Sequence, residues 1–73
     1  MAGVPRLTKR QIQCTMLAGR GLTEADIAER LGLATQTVKT HLQVARRAYS
    51  VDRTIQLVMR ALADGLISLD DLL

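Results

Sequence analysis

Aromatic side chains are almost missing from this chain: Tyr49 stands alone, with no Phe and no Trp. A core must therefore be built from Leu, Ile, Val, Ala and Met, which pack well between helices. Pro5 is the only proline, and no alternating polar/apolar run of the strand type appears. An all-α fold is the economical reading. A single cysteine, Cys14, excludes an internal disulfide framework and suits a reducing compartment. It falls inside a helical pattern, where a small buried hydrophobe is expected. No apolar run reaches the roughly 18 residues a spanning helix needs, and no signal-peptide pattern opens the chain, so a soluble cytoplasmic protein is expected. His41 has no second histidine and no nearby cysteine, which argues against a metal site and for a packed, hydrogen-bonded histidine at the core edge. Nucleophile–base pairs and phosphate-cradling glycine loops are also missing. The expectation is a non-enzyme without a cofactor.

What is present is short and unevenly charged. The 73 residues make one small domain, of a size that buries only about 60% of its unfolded surface. The net charge of +3 is modest, but its distribution is informative. Arg6, Lys9, Arg10 and Arg20 precede any acid; Glu24, Asp26 and Glu29 follow against Arg30. Lys39, Arg46, Arg47, Arg53 and Arg60 then stand against Asp52 alone, and Asp64, Asp70 and Asp71 close the chain. The two basic segments are candidates for a polyanion surface, and the acidic end points elsewhere.

Four helices are expected, roughly over 8–18, 24–31, 35–49 and 53–64. Residues 1–6 read as a flexible N-terminal arm, and 68–73 as an acidic tail or short helical turn capped by Ser68. "TKRQ" gives Thr8 and Gln11 capping-box spacing, and "GRG" stops the first helix through Gly19 and Gly21. In "LTEADIAERLG", Thr23 and Asp26 repeat that spacing, Leu22 sits at the staple position, and Gly32 ends the helix. Only Gly32 to Ala34 separate it from the next helix, so the second and third form a helix-turn-helix. Asp52 is the expected N-cap of the fourth helix, with Thr54 as alternative. That helix is apolar on more than one side, as a helix that meets a second partner would be; Ile55, Val58, Met59 and Leu62 form one stripe.

The third helix divides cleanly at about 100° per residue. Val38, His41, Ala45 and Tyr49, with Leu42 beside them, form a core face. Gln36, Lys39, Thr40, Gln43 and Arg47 fall opposite, with Arg46 at the edge, and this ridge carries no carboxylate of its own. Hydrogen-bonding side chains with positive charge are what a helix reading the major groove needs.

These residues resemble the LuxR/GerE-type DNA-binding domain. The resemblance runs without a gap from Leu7 to Ile67 through "LTKR", "GLTEADIAERLG", "TVKTH" and "GLI". It implies a four-helix helix-turn-helix domain, with the fourth helix often making a homodimer. It also implies that Lys39 and Thr40 reach base edges, that Gln43 reaches a base or a phosphate, and that Thr37 contacts a phosphate. At this length the chain is similar to stand-alone members without a receiver or ligand-sensing domain. It departs from the family pattern in several places. Gln11 replaces a common Glu, and Ala34 a capping Ser, with Thr35 as a substitute cap. Tyr49-Ser50 replaces Leu-Gly, Thr54 replaces Arg, and Ile12 and Met16 occupy usually polar positions.

The resulting expectation is a sequence-specific transcriptional regulator on double-stranded DNA. Base contacts fall to Lys39, Thr40, Gln43 and Gln36, and phosphate contacts to Thr37, Thr35, Arg47, Arg46, Lys9, Arg10 and Arg20. The dimer interface falls to Ile55, Val58, Met59 and Leu62. Ile12 and Met16 have two readings, a satellite core contact or an exposed patch for RNA polymerase or another regulator; the acidic tail is a second site for such a contact. Asp70 and Asp71 read as solvated. Two rivals stand beside this: a sigma-factor region-4-like module acting with polymerase, and a helix-turn-helix-shaped adaptor that binds protein.

Overall fold

A computed structural model describes residues 3–73; Met1 and Ala2, the start of the expected arm, lie outside the described residues. Among these residues the chain is all-helical: α1 (Lys9–Gly19), α2 (Glu24–Leu31), α3 (Thr35–Ala48), α4 (Thr54–Ala63) and a short α5 (Leu69–Leu72). The four expected helices are present within one or two residues of their expected ends.

Local chemistry explains the starts. Thr8 Oγ1 accepts from the Gln11 N–H at 3.1 Å, and Gln11 Oε1 accepts from the Thr8 N–H at 2.9 Å. Gln11, which replaces the family's common Glu, thus closes a capping box. Thr23 and Asp26 exchange the same bonds at 3.1 and 3.2 Å, and Ser68 and Asp71 at 3.3 and 2.8 Å. Asp71 is therefore a capping group, not a solvated tail residue; Asp70 is exposed. Two expected caps are corrected. Arg53, not Asp52 or Thr54, is the N-cap residue of α4, because Gln56 Oε1 reaches back to accept from the N–H of both Arg53 and Asp52, at 3.0 and 3.2 Å. At α3 the N-cap is Ala34, whose methyl cannot accept a hydrogen bond, and Thr35 lies inside the helix and does not substitute.

The ends of the four long helices share one device. Gly21, Gly32, Ser50 and Gly65 take positive φ, at 89°, 67°, 55° and 77°. In each case the next residue's N–H bonds five residues back: Leu22 to Leu17, Leu33 to Ala28, Val51 to Arg46, Leu66 to Ala61. This is the Schellman motif, and only Ser50 enters it with a Cβ. Gly19 has a different role from the turn expected of it. It lies within α1, and a Cβ there would come within 2.6 Å of Leu72 Cδ2 and 3.2 Å of Val58 Cγ1. The position lets α5 and α4 close on α1.

α1 separates two apolar clusters. On one side Cys14 and Leu17 meet Ile27, Ala28, Val38, Leu42, Ala45, Tyr49 and Leu57; on the other, Ile12 and Met16 meet Val58, Ala61, Ile67, Leu62 and Leu72. Ile12 and Met16 are thus the satellite core contact. Both side chains are half-buried against the cluster that α4 and α5 supply, so neither stands as a fully exposed patch. Cys14 is fully buried and free, and burial pushes its thiol pKa up against a smaller opposing pull from Arg10. The α4 stripe is also corrected. Leu57, Val58 and Ala61 face inward and Leu62 is half-buried in the second cluster, so only Ile55 and Met59, 63% and 60% exposed, face out. α1 and α3 both pack against α4, and they take a wider arc of it than one stripe. Among the described residues no helix is long and apolar enough to cross a membrane.

Candidate nucleic-acid interface

α3 carries the core face that the sequence implies. Val38, Leu42, Ala45 and Tyr49 are buried, and these four anchor the helix against α1 and α2. His41 is half-buried at the edge, and among the described residues no hydrogen bond holds its ring, so the hydrogen-bonded part of that expectation is not met.

With the core face pinned, the opposite face must point outward. Gln36, Thr37, Lys39, Thr40, Gln43 and Arg47 are all exposed, as is Thr35 at the start of the helix. Thr40 Oγ1 donates to the Gln36 carbonyl at 3.0 Å, which leaves its lone pairs and methyl group to face outward contacts. Because Ala34 supplies no cap, the first-turn N–H groups of α3 have no side-chain acceptor, and the turn holds no acid. The macrodipole adds positive potential there.

The outlying cations differ in freedom. Arg47 and Lys9 are exposed. Arg46 is half-buried, and its Nη1 donates to Thr54 Oγ1 at 3.1 Å, which ties α3 to α4. Arg10 Nη1 donates to Gln13 Oε1 at 3.2 Å. Arg20 Nε donates to the Asp71 carbonyl, joining the end of α1 to α5. Arg46 and Arg20 therefore carry structural bonds as well as charge.

Two features escape a one-dimensional reading. Lys39 Nζ lies 3.9 Å from Glu24 Oε1, with the two side chains 54% and 38% exposed. The ridge has no carboxylate of its own, yet the helix-turn-helix brings one beside it from the first turn of α2. Further along, Tyr49 Oη donates to Asp64 Oδ2 at 2.8 Å while the Arg60 guanidinium sits 5.5 Å from the ring centroid. Burial, then the bond to Asp64, pushes the phenol up to about 12. These contacts lock the far end of α3 to α4. The replacement of Leu-Gly by Tyr49-Ser50 hinted at something local there, but the partner lies fifteen positions away.

Comparison with known proteins gives a consistent picture. A family model described as bacterial regulatory proteins, luxR family, matches residues 5–61. The HTH-type quorum sensing-dependent transcriptional regulator VjbR of Brucella abortus is 35% identical over 65 residues, 89% of this chain and 25% of its own length. The transcriptional activator protein RaiR of Rhizobium etli is 35% identical over 54 residues, 74% of this chain and 22% of its own. The chain thus spans about a quarter of the length of the curated relatives it matches.

Proposed function

The chain belongs to the LuxR family of bacterial regulatory proteins, and on that premise we propose that it regulates transcription by seating α3 in the major groove of double-stranded DNA. The observation that carries this reading is the outward ridge Gln36, Lys39, Thr40, Gln43 and Arg47, held exposed by a fully anchored opposite face. Lys39 serves guanine O6 and N7, Thr40 a thymine methyl or a hydrogen bond, and Gln43 and Gln36 adenine N6 and N7 or a neighbouring phosphate. Thr35 and Thr37, beside the uncapped N–H groups of α3, take phosphate oxygens, as helix N-termini do. Arg47 and Lys9 add phosphate contacts, and so do Arg10, Arg46 and Arg20 where their structural bonds allow.

The same reading gives α4 a dimer role through Ile55 and Met59, which line a shallow depression with Val51, Gln56 and Arg60. A twofold pair would place half-sites about 10–10.5 bp apart, or a multiple of that.

Selection from random duplex DNA at two salt concentrations tests the reading. The expected result is one enriched motif with twofold symmetry. Affinity should fall with salt at a log–log slope of about −0.9 for each phosphate contacted. Lys39→Ala should weaken binding to that motif by about 1–3 kcal/mol. A parent chain that binds no duplex in dilute buffer would overturn the proposal.

A further inference from the structure

Glu24 is out of place on a polyanion-binding surface unless it does something there. It is the first residue of α2, the helix that in this motif crosses the DNA backbone. The other first-turn acid, Asp26, is committed to the Thr23 N–H, whereas Glu24 accepts no hydrogen bond among the described residues and leans to Lys39, 3.9 Å away. Both side chains are substantially exposed, so the pair separates easily. Once Lys39 moves to DNA, the Glu24 carboxylate loses its cation and faces phosphates. That loss weakens binding to every duplex except one that offers a donor in its place.

The G·C pair offers such a donor. Its major-groove edge presents guanine N7 and O6 as acceptors and, beside them, the cytosine N4 amino group as donor. Lys39 brings donors only and Glu24 acceptors only. Held 3.9 Å apart, the two groups are close enough together to address adjacent positions on one base-pair edge. At the same placement an A·T pair would turn thymine O4 toward the carboxylate, a repulsive contact, and would leave the ammonium adenine N7 alone, beside the N6 amino donor.

We propose that Glu24 is a specificity-determining residue that, with Lys39, reads a single G·C base pair. The proposal rests on α3 being the groove-facing helix. Lys39 alone is a point charge satisfied by any phosphate; Glu24 makes its binding conditional on the base pair beneath it.

The test is selection from random duplexes with the parent, Glu24→Ala and Glu29→Ala, followed by titration of the selected and a scrambled duplex. Glu29→Ala removes the same charge from an exposed site on the same helix. Glu24→Ala is expected to relax one G·C position by about tenfold and to bind the scrambled duplex at least as tightly as the parent. Glu29→Ala is expected to keep the parent motif. If Glu24→Ala loses helix content, Glu24→Met, which keeps the length without the acceptor, is expected to relax the same position. A Glu24 variant that selects the parent motif with the parent ratio overturns the proposal while leaving the DNA-binding reading intact. A parent that selects no motif overturns both.

Discussion

α3 and α4 are both pinned by a buried apolar face, but their outward faces differ in kind. α3 turns Gln36, Lys39, Thr40, Gln43 and Arg47 to solvent, groups that are content in water and suited to a charged groove. α4 turns out Ile55 and Met59, which gain only by being covered. The first face is polar throughout, while the second sets two exposed apolar side chains beside Gln56 and Arg60. The proposed function uses this difference, giving recognition to α3 and assembly to α4 on one shared core.

The sharpest way to break this contrast is within α4 itself. Leu57 is fully buried, so Leu57→Ala should cost about 2–5 kcal/mol, enough to unfold much of a domain this small. Met59→Ala on the outward side should change the monomer's stability by no more than about 0.5 kcal/mol. Urea unfolding of both variants at low protein concentration measures the difference. Equal effects would mean that α4 does not have the two faces described.

A smaller effect is expected where the two helices are tied. Tyr49→Phe removes the bond to Asp64 and keeps the packing, and should cost about 0.5–1.5 kcal/mol. It also carries a pH signature. The raised phenol pKa means that the folded state favours the neutral form, so this contribution is complete below pH 10 and is lost as pH rises toward about 12. Stability curves across that window should show the loss in the parent and not in Tyr49→Phe.

The smallest change should be a gain. Ser50 holds a left-handed conformation that glycine holds elsewhere in this chain, at φ 55°. Ser50→Gly should therefore stabilise by about 0.5–1 kcal/mol, seen as a higher melting temperature with DNA affinity unchanged. A destabilised variant would mean that the serine side chain supports the turn.

How much of this was legible in the sequence follows the contrast between the helices. α3 alternates apolar and polar residues at helical spacing, so its core and ridge could both be assigned from periodicity. α4 is apolar around most of its circumference, and no periodic pattern can say which apolar residues meet the core; the stripe of Ile55, Val58, Met59 and Leu62 therefore mixes two exposed residues with buried Val58 and half-buried Leu62. Caps could be assigned where a Thr or Ser preceded a partner by three residues. At α4 the acceptor was Gln56, reaching back from within the helix, and the position before it gave no sign of that. Ile12 and Met16 looked anomalous only because the helix that covers them, α4, and the short α5 lie some forty to sixty residues further along. Glu24 beside Lys39, and Asp64 on Tyr49, are pairings made by tertiary structure, which neither local propensity nor charge pattern contains.

The central claim is that the outward ridge of α3 is the surface that meets DNA. Backbone amide shifts during titration with a selected duplex test it most directly. The account predicts that the largest changes, in a salt-sensitive titration, cluster at residues 35–47 and at Glu24, while Ile12 and Met16 stay still. Large changes confined to residues 55–73, with 35–47 unmoved at saturating duplex, would contradict it.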